Sequence, residues 1–276
     1  MIPFRLAILS LMFCAFELGA AAAQESATVE ATLTFAGQTH KLDHVLIVRA
    51  GNEEGMDASG PRLRIYLSDA EIPLRLAGGA TDLGAKGYAQ QAGLSAVVVF
   101  ADPAGKDRGA QLSLLNAAGT QQPGFATASD TNALSEFQVA AEHASGAITF
   151  QGGQIGLTAK FSAPITANPI TADLTGKAAL ESPPVQALAA YDAALAKADM
   201  AALAKCTTAL RLKQIQAFHD QAGEKAFRQA VKSETGGPPL AQTVKRVIVR
   251  GESASVVLKG GEVAELVQEN GAWKMN

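Results

Sequence analysis

Four histidines, a short run of acids and a few aromatic side chains are the residues of this chain whose types and spacing bear on chemistry. His40, Asp43 and His44 lie close together. Two histidines four residues apart hold one zinc ion when they share a helical face. Residues 39–49, however, read as a strand, where four residues span about 13 Å, so a shared ion would need a bulge. The plain alternative is polar strand residues facing solvent or a neighbouring strand, and His143 could join either histidine only across a sheet. Further on, Tyr191 adjoins Asp192, a carboxylic acid beside a phenol, and His219 follows Phe218. Each is of a type that moves protons near neutral pH. The alternatives are a Tyr191 packed in a core, a solvated Asp192 and a solvated His219 at a helix edge. Trp273, the single tryptophan, either stacks on a ligand or seals a sheet against helices.

No Gly-x-Ser-x-Gly elbow, no glycine-rich loop ending in Gly-Lys-Ser and no His-Glu-x-x-His occurs. No cofactor, metal site or catalytic residue is therefore expected. The glycines at 51, 55 and 60 suit turns better than phosphate cradles, since no helix start follows them.

Two kinds of pattern must position these residues. Up to residue 165 the chain shows short alternating runs broken by Gly and Pro. In 28–35, Val29, Ala31, Leu33 and Phe35 alternate with Thr and Glu, and Ala36-Gly37-Gln38 turns the chain into 39–49. Residues 62–67, 94–100, 111–115, 136–142, 147–150 and 155–161 read as further strands, with one helix over 80–93 that Gly84 and Gly87 each weaken by about 1 kcal/mol. Ser182-Pro183-Pro184 then reads as a helix start, with the hydroxyl as cap and proline in the first turn. Val185, Leu188, Tyr191 and Leu195 follow on one face, and Ala189, Ala193 and Ala196 offer a surface for close approach. A cap at Asp199, a helix over 210–222 and its continuation past Gly223 through Phe227 and Val231 come next. From Val244 the period changes to two, giving a meander that ends at the tight-turn pair Asn270-Gly271. The expected fold is α+β: a mainly antiparallel β domain over 24–165, sandwich or curved sheet, a linker over 166–183, and a helices-then-meander cone over 184–276.

Residues 1–23 carry Arg5, an apolar run from Leu6 to Phe16 and a small-residue end, Ala20 to Ala23. This is the pattern of a cleaved secretory signal peptide, and the apolar run is too short to span roughly 30 Å of hydrocarbon. The expected location is periplasmic or secreted, with no membrane span after cleavage. A formal charge of −3 offers no basic field for nucleic acid or an anionic membrane. Of the two cysteines only Cys206 lies beyond the signal, so stability must come from packing.

Leu33-Thr34-Phe35-Ala36-Gly37, His40 to Val45, Leu63 to Asp69 with Ile72-Pro73, and Phe161 to Ile165 resemble an exported bacterial β-rich domain of unassigned function; the likeness implies no chemistry. Ala189 to Leu195 with Ala198-Asp199, Val247 to Ala254 and Val267 to Met275 resemble the nuclear transport factor 2-like superfamily, which includes ketosteroid isomerases and polyketide cyclases. That resemblance implies a curved sheet wrapped on a helix, and binding, dimerising and enzymatic roles all occur on such a fold. Together these readings point to an exported non-catalytic protein that binds a small apolar ligand or a protein partner, with Tyr191, Asp192, Phe218, His219 and Trp273 as binding candidates. The alternatives are an isomerase, dehydratase or cyclase acting in the cone, and a homodimer through an apolar outer face on Val247, Val249, Val256 or Leu258.

Overall fold

The computed structural model describes residues 27–50, 62–104, 109–119, 127–140, 142–235 and 238–276, so the signal-peptide expectation lies outside the described residues. The fold is mixed α and β, built on two sheets.

In the first sheet β1 (Thr28–Phe35) and β2 (Gln38–Leu42) form a hairpin over Ala36-Gly37, both at positive φ, the geometry of a tight primed turn. β3 (His44–Ala50) is a separate strand, not the continuation of β2 expected over 39–49. The backbone breaks at Asp43, whose amide donates to the Ser68 carbonyl (3.0 Å), and β3 leaves β1 to pair with β4 (Arg62–Ser68). After α1 (Leu74–Ala77) and α2 (Leu83–Ala92) come β5 (Ala96–Ala101), β6 (Ala110–Asn116), β7 (Thr127–Asp130), β8 (Leu134–Val139), β9 (His143–Gly152) and β10 (Ile155–Thr166). The helix expected over 80–93 is therefore shorter, and α1 and β7 had no sequence signal. Pairing is antiparallel except where the end of β10 meets β3 in parallel (Ile165 with Ile47). The sheet curls until β7 comes against β9, and its concave face is filled by Leu33, Phe35, Leu63, Leu112, Phe150 and Leu157. On the convex side α1 and α2 cover Val48, Tyr66, Val98 and Leu115 with Ala77, Ala85 and Ala89.

β11 (Ala172–Thr175) and α3 (Gly176–Leu180) occupy half of the segment expected to be a linker. β11 pairs antiparallel with β12 (Val244–Arg250), and Asp173 takes both Nε (2.7 Å) and Nη2 (2.5 Å) of Arg246. The helices are α4 (Pro183–Ala196), α5 (Met200–Cys206), α6 (Ala209–Ala222), α7 (Glu224–Thr235) and α8 (Leu240–Thr243). The meander is completed by β13 (Ser253–Leu258), β14 (Val263–Glu269) and β15 (Ala272–Met275), with Asn270 and Gly271 both at positive φ in the last turn. Asp199 caps α5 as expected, accepting from the Ala202 amide (3.0 Å). Ser182 does not cap α4: its hydroxyl donates back to the Ala179 carbonyl (2.6 Å). Ala189, Ala193 and Ala196 are exposed, and the buried face of α4 is Val185, Leu188, Tyr191, Ala194 and Leu195. Among the described residues no helix is long and apolar enough to cross a membrane.

The inner face of the second sheet meets these helices. Val247 and Val256 are fully buried there, and Val249 and Leu258 pack against the same core. The four positions named for a dimer therefore face inward, not outward. The opposite face carries Ile248, Ser255 and Glu265 in one cross-strand row. Ile248 and Ser255 are buried, and α1 packs against β14.

One buried cation organises that junction. Arg64 on β4, only 6% exposed, donates through Nη1 to the carbonyls of Gly79 (2.6 Å) and Thr81 (3.1 Å) and through Nη2 to that of Ala80. The loop so held gives the Thr81 amide to Glu265 Oε1 (2.5 Å), and the Gly78 carbonyl accepts from Asn168 Nδ2 (2.6 Å). Glycine is required where backbone and partner come closest. A Cβ at Gly84 would stand 2.6 Å from Asn276 Nδ2 and 2.8 Å from the Leu76 carbonyl, and one at Gly87 would stand 2.5 Å from Leu210 Cδ2. The helix-propensity penalty noted for these glycines is thus offset by close packing between the two sheets' helices. Gly84→Val is expected to destabilise by about 1–3 kcal/mol through overpacking. Gly152→Ala, with open space around it, should stay within about 0.5 kcal/mol of the parent in urea unfolding.

Candidate functional site

α6 starts where the last strand ends. The Thr208 amide donates to the Met275 carbonyl (2.9 Å), and the Thr208 hydroxyl accepts from the Arg211 amide (3.2 Å), capping the helix. Arg211, Gln214, Ile215 and Phe218 then fall at i, i+3, i+4 and i+7 on one face. Gly223 at positive φ separates α6 from α7, so the chain folds back and Phe227 meets Phe218, their ring centres 5.9 Å apart and tilted by 56°. Tyr191 and Leu195 of α4 form the third side. The result is a cleft of about 390 Å³ between α4, α6 and α7, lined also by Ala230 and Val231. Its walls are mostly apolar, with the Tyr191 hydroxyl and the Arg211 guanidinium at one end. Arg211 Nη2 lies 3.5 Å from Tyr191 Oη, and Arg211 Nε is buried with no hydrogen-bond partner. At the other end Phe218 is 47% exposed beside Phe227 at 2%.

Of the five residues expected to bind, Tyr191 and Phe218 line this cleft, whereas Asp192, His219 and Trp273 do not. Trp273 packs on the inner face of the sheet among the core side chains, the sealing role. Asp192 is half-buried. His219 Nε2 bonds Glu224 (2.7 Å) and Nδ1 meets Asp220 (3.3 Å), across the α6–α7 corner, with its ring edge-on to Phe227. Hydrogen bonding to Glu224 first, then to Asp220, raises the His219 pKa above the ordinary histidine value; hydrogen bonds from His219 and Arg228 hold Glu224 below the usual carboxylate range. This histidine is a corner clasp. Sequence reasoning missed Arg211 and Gln214, although their helical spacing with Ile215 and Phe218 was available as a signal. Cys206 is buried, its thiol donating to the Ala202 carbonyl (3.3 Å), and burial pushes its pKa up.

In the first sheet the structure breaks up the histidine cluster. β2 pairs with β1 and β3 with β4, so His40 and His44 belong to different ladders. His44 lies at the surface beside Asp43 (3.7 Å), and His143 Nε2 bonds Ser162 Oγ (2.7 Å). His40 Nδ1 instead meets Ser95 Oγ (3.0 Å), which also accepts from the Ala118 amide (3.1 Å), while Asp69 Oδ2 accepts from the Ser95 amide (3.0 Å). Serine, histidine and aspartate thus converge without forming a nucleophile. Ser95 is 0% exposed, and Asp69 holds its backbone and not the imidazole. The group ties β2, β5 and the loop after β6 together. Among the described residues no three His, Cys, Asp or Glu are grouped to hold a metal ion.

Larger clefts on the first sheet, such as one of about 780 Å³ around Arg62, Gln111 and Asp130, are open surfaces lined mainly by polar strand residues. Another cleft, about 310 Å³, lies at the junction between Lys86, Arg211, Glu265 and Asn276. Burial lowers the Lys86 pKa there. Ligand sites combine apolar walls with a few convergent polar groups, and the cleft between α4, α6 and α7 meets that description best. No family model matches the chain, and no curated protein or solved structure matches it.

Because the His219 pKa is raised, the clasp contributes stability fully below the ordinary histidine value and loses it as pH rises through the raised one. Glu224 works in the opposite sense, contributing above the ordinary carboxylate value and losing that as pH falls through its lowered one. NMR titration should find His219 above a free histidine, and Glu224→Gln should bring it down. Ser95→Ala leaves the Ala118 amide and His40 Nδ1 without their partner and should cost about 1–3 kcal/mol in chemical denaturation.

Proposed function

We propose that this chain is an exported, non-catalytic binding protein that holds a small, largely apolar ligand in the cleft between α4, α6 and α7. The observation that carries this reading is the exposure of Phe218 over an apolar cleft whose floor includes buried Phe227 and Val231. The ring is continuous with a concave apolar surface that has a few polar groups at its edge, the composition that ligand sites share. Export rests on the pattern of residues 1–23. A nuclear transport factor 2-like architecture for the second half belongs to the same proposal, supported by the order of helices followed by an antiparallel meander. The cleft then lies within the helix layer. The space between α4 and the sheet is filled by Leu188, Val247, Val256 and Leu266. Likewise, a curved-sheet reading of the first half is supported by the curl that brings β7 to β9.

The test is native mass spectrometry of the mature protein recovered from the periplasm, with the denatured mass beside it. A monomer carrying a small molecule that is lost on denaturation is the expected result. Ligand-free protein associated into a dimer would overturn the reading in favour of an interaction module.

A further inference from the structure

Resting on the ligand-binding reading above, we infer that the ligand is an amphiphile with a single negative charge, a free fatty-acid-type carboxylate whose head is anchored by Arg211. Three observations converge. Arg211 is the only charged residue lining the cleft among the described residues, so no carboxylate of the protein stands against an anion there. Its Nε–H is buried without a hydrogen-bond partner, and its Nη2 has the Tyr191 hydroxyl at 3.5 Å, the outer limit of a hydrogen bond. Apart from Gln214 the remaining walls are apolar, ending at Phe218 and Phe227.

A guanidinium presents its N–H groups in a rigid planar fork that matches the two oxygens of a carboxylate. With the Tyr191 hydroxyl only at the limit of hydrogen bonding, Nη2 is weakly paired, and a ligand whose carboxylate completes it is favoured over one that leaves it so. Tyr191 and Gln214 stand beside the fork and can donate to the same head. From Arg211 to Phe218 is seven residues along α6, about 10 Å of helix, the reach of a medium-length alkyl chain laid over Ile215. The junction cleft suits this ligand less well, because Glu265 lines it and sets a carboxylate against an incoming anion.

The experiment is calorimetric titration of the mature, delipidated protein at neutral pH with decanoate, decanol and decylammonium, each below its micelle concentration. Decanoate should bind about tenfold more tightly than decanol, the increment of one charge-assisted pair, and decylammonium more weakly than either. Arg211→Met should erase the preference for decanoate while leaving decanol affinity in place. Phe218→Ala, a change at an exposed position, should weaken decanoate and decanol alike. Equal affinity of the unaltered protein for decanoate and decanol overturns the anionic head while leaving an apolar ligand site in place. Failure of all three probes to bind overturns the site itself. Undiminished decanoate binding by Arg211→Met overturns Arg211 as the anchor. Should that variant not fold, the comparison of probes on the unaltered protein decides alone.

Discussion

The hydrogen bonds of the buried Arg64 guanidinium to the carbonyls of residues 79–81 are the interaction on which most of this structure depends. They fold the turn between α1 and α2 down on the first sheet, and they leave its opposite edge to give the Thr81 amide to Glu265 on the second. Through its two Nη groups the buried cation pairs three carbonyls that would each be expensive to strand. The same helices cover Tyr66 and Val98 on one side and meet β14 and α6 on the other. Burial raises the Tyr66 phenol's pKa far above the ordinary value despite the nearby Arg64 cation, and the hydroxyl donates to the Ala77 carbonyl (3.1 Å). The two sheets are thus joined through a shared layer whose glycines admit Asn276 and Leu210 at close range.

That layer also sets the candidate cleft. α6 is fixed at its start by Met275 and along its side by α2, so Arg211 is held at the boundary between the junction cleft and the apolar cleft and lines both. α7 is held against α6 by the clasp of His219, Asp220, Glu224 and Arg228 and by the tilted ring pair of Phe218 and Phe227. The cleft is therefore bounded by helices whose relative positions are set by neighbouring elements. Its polar end faces the junction and its apolar end opens to water at Phe218.

Much of this was legible from local pattern. Alternation in 28–35 and the meander ending at Asn270-Gly271 need only side-chain period and turn chemistry, and both are local. What escaped was set by contacts distant in sequence. β11 has a single large apolar residue, Leu174, and its place as an edge strand rests on pairing with β12 and on Asp173 gripping Arg246, seventy-three residues away. The break at Asp43 depends on the Ser68 carbonyl. Gly84 and Gly87 read as helix penalties because nothing local reveals that Leu76, Asn276 and Leu210 crowd them. In the site, Tyr191 and Phe218 stood out as aromatic residues on helical faces. An arginine on a helix, by contrast, reads as solvated, and only the fold shows Arg211 with a buried, unpaired N–H.

The most direct test of the central claim, that the cleft between α4, α6 and α7 is the ligand seat, is a crystal structure of the mature protein grown with decanoate. The account predicts the carboxylate within hydrogen-bond distance of the Arg211 guanidinium and the alkyl chain along Ile215 toward Phe218 and Phe227. Decanoate ordered in the junction cleft or on the first sheet, with the helical cleft unoccupied, would contradict it.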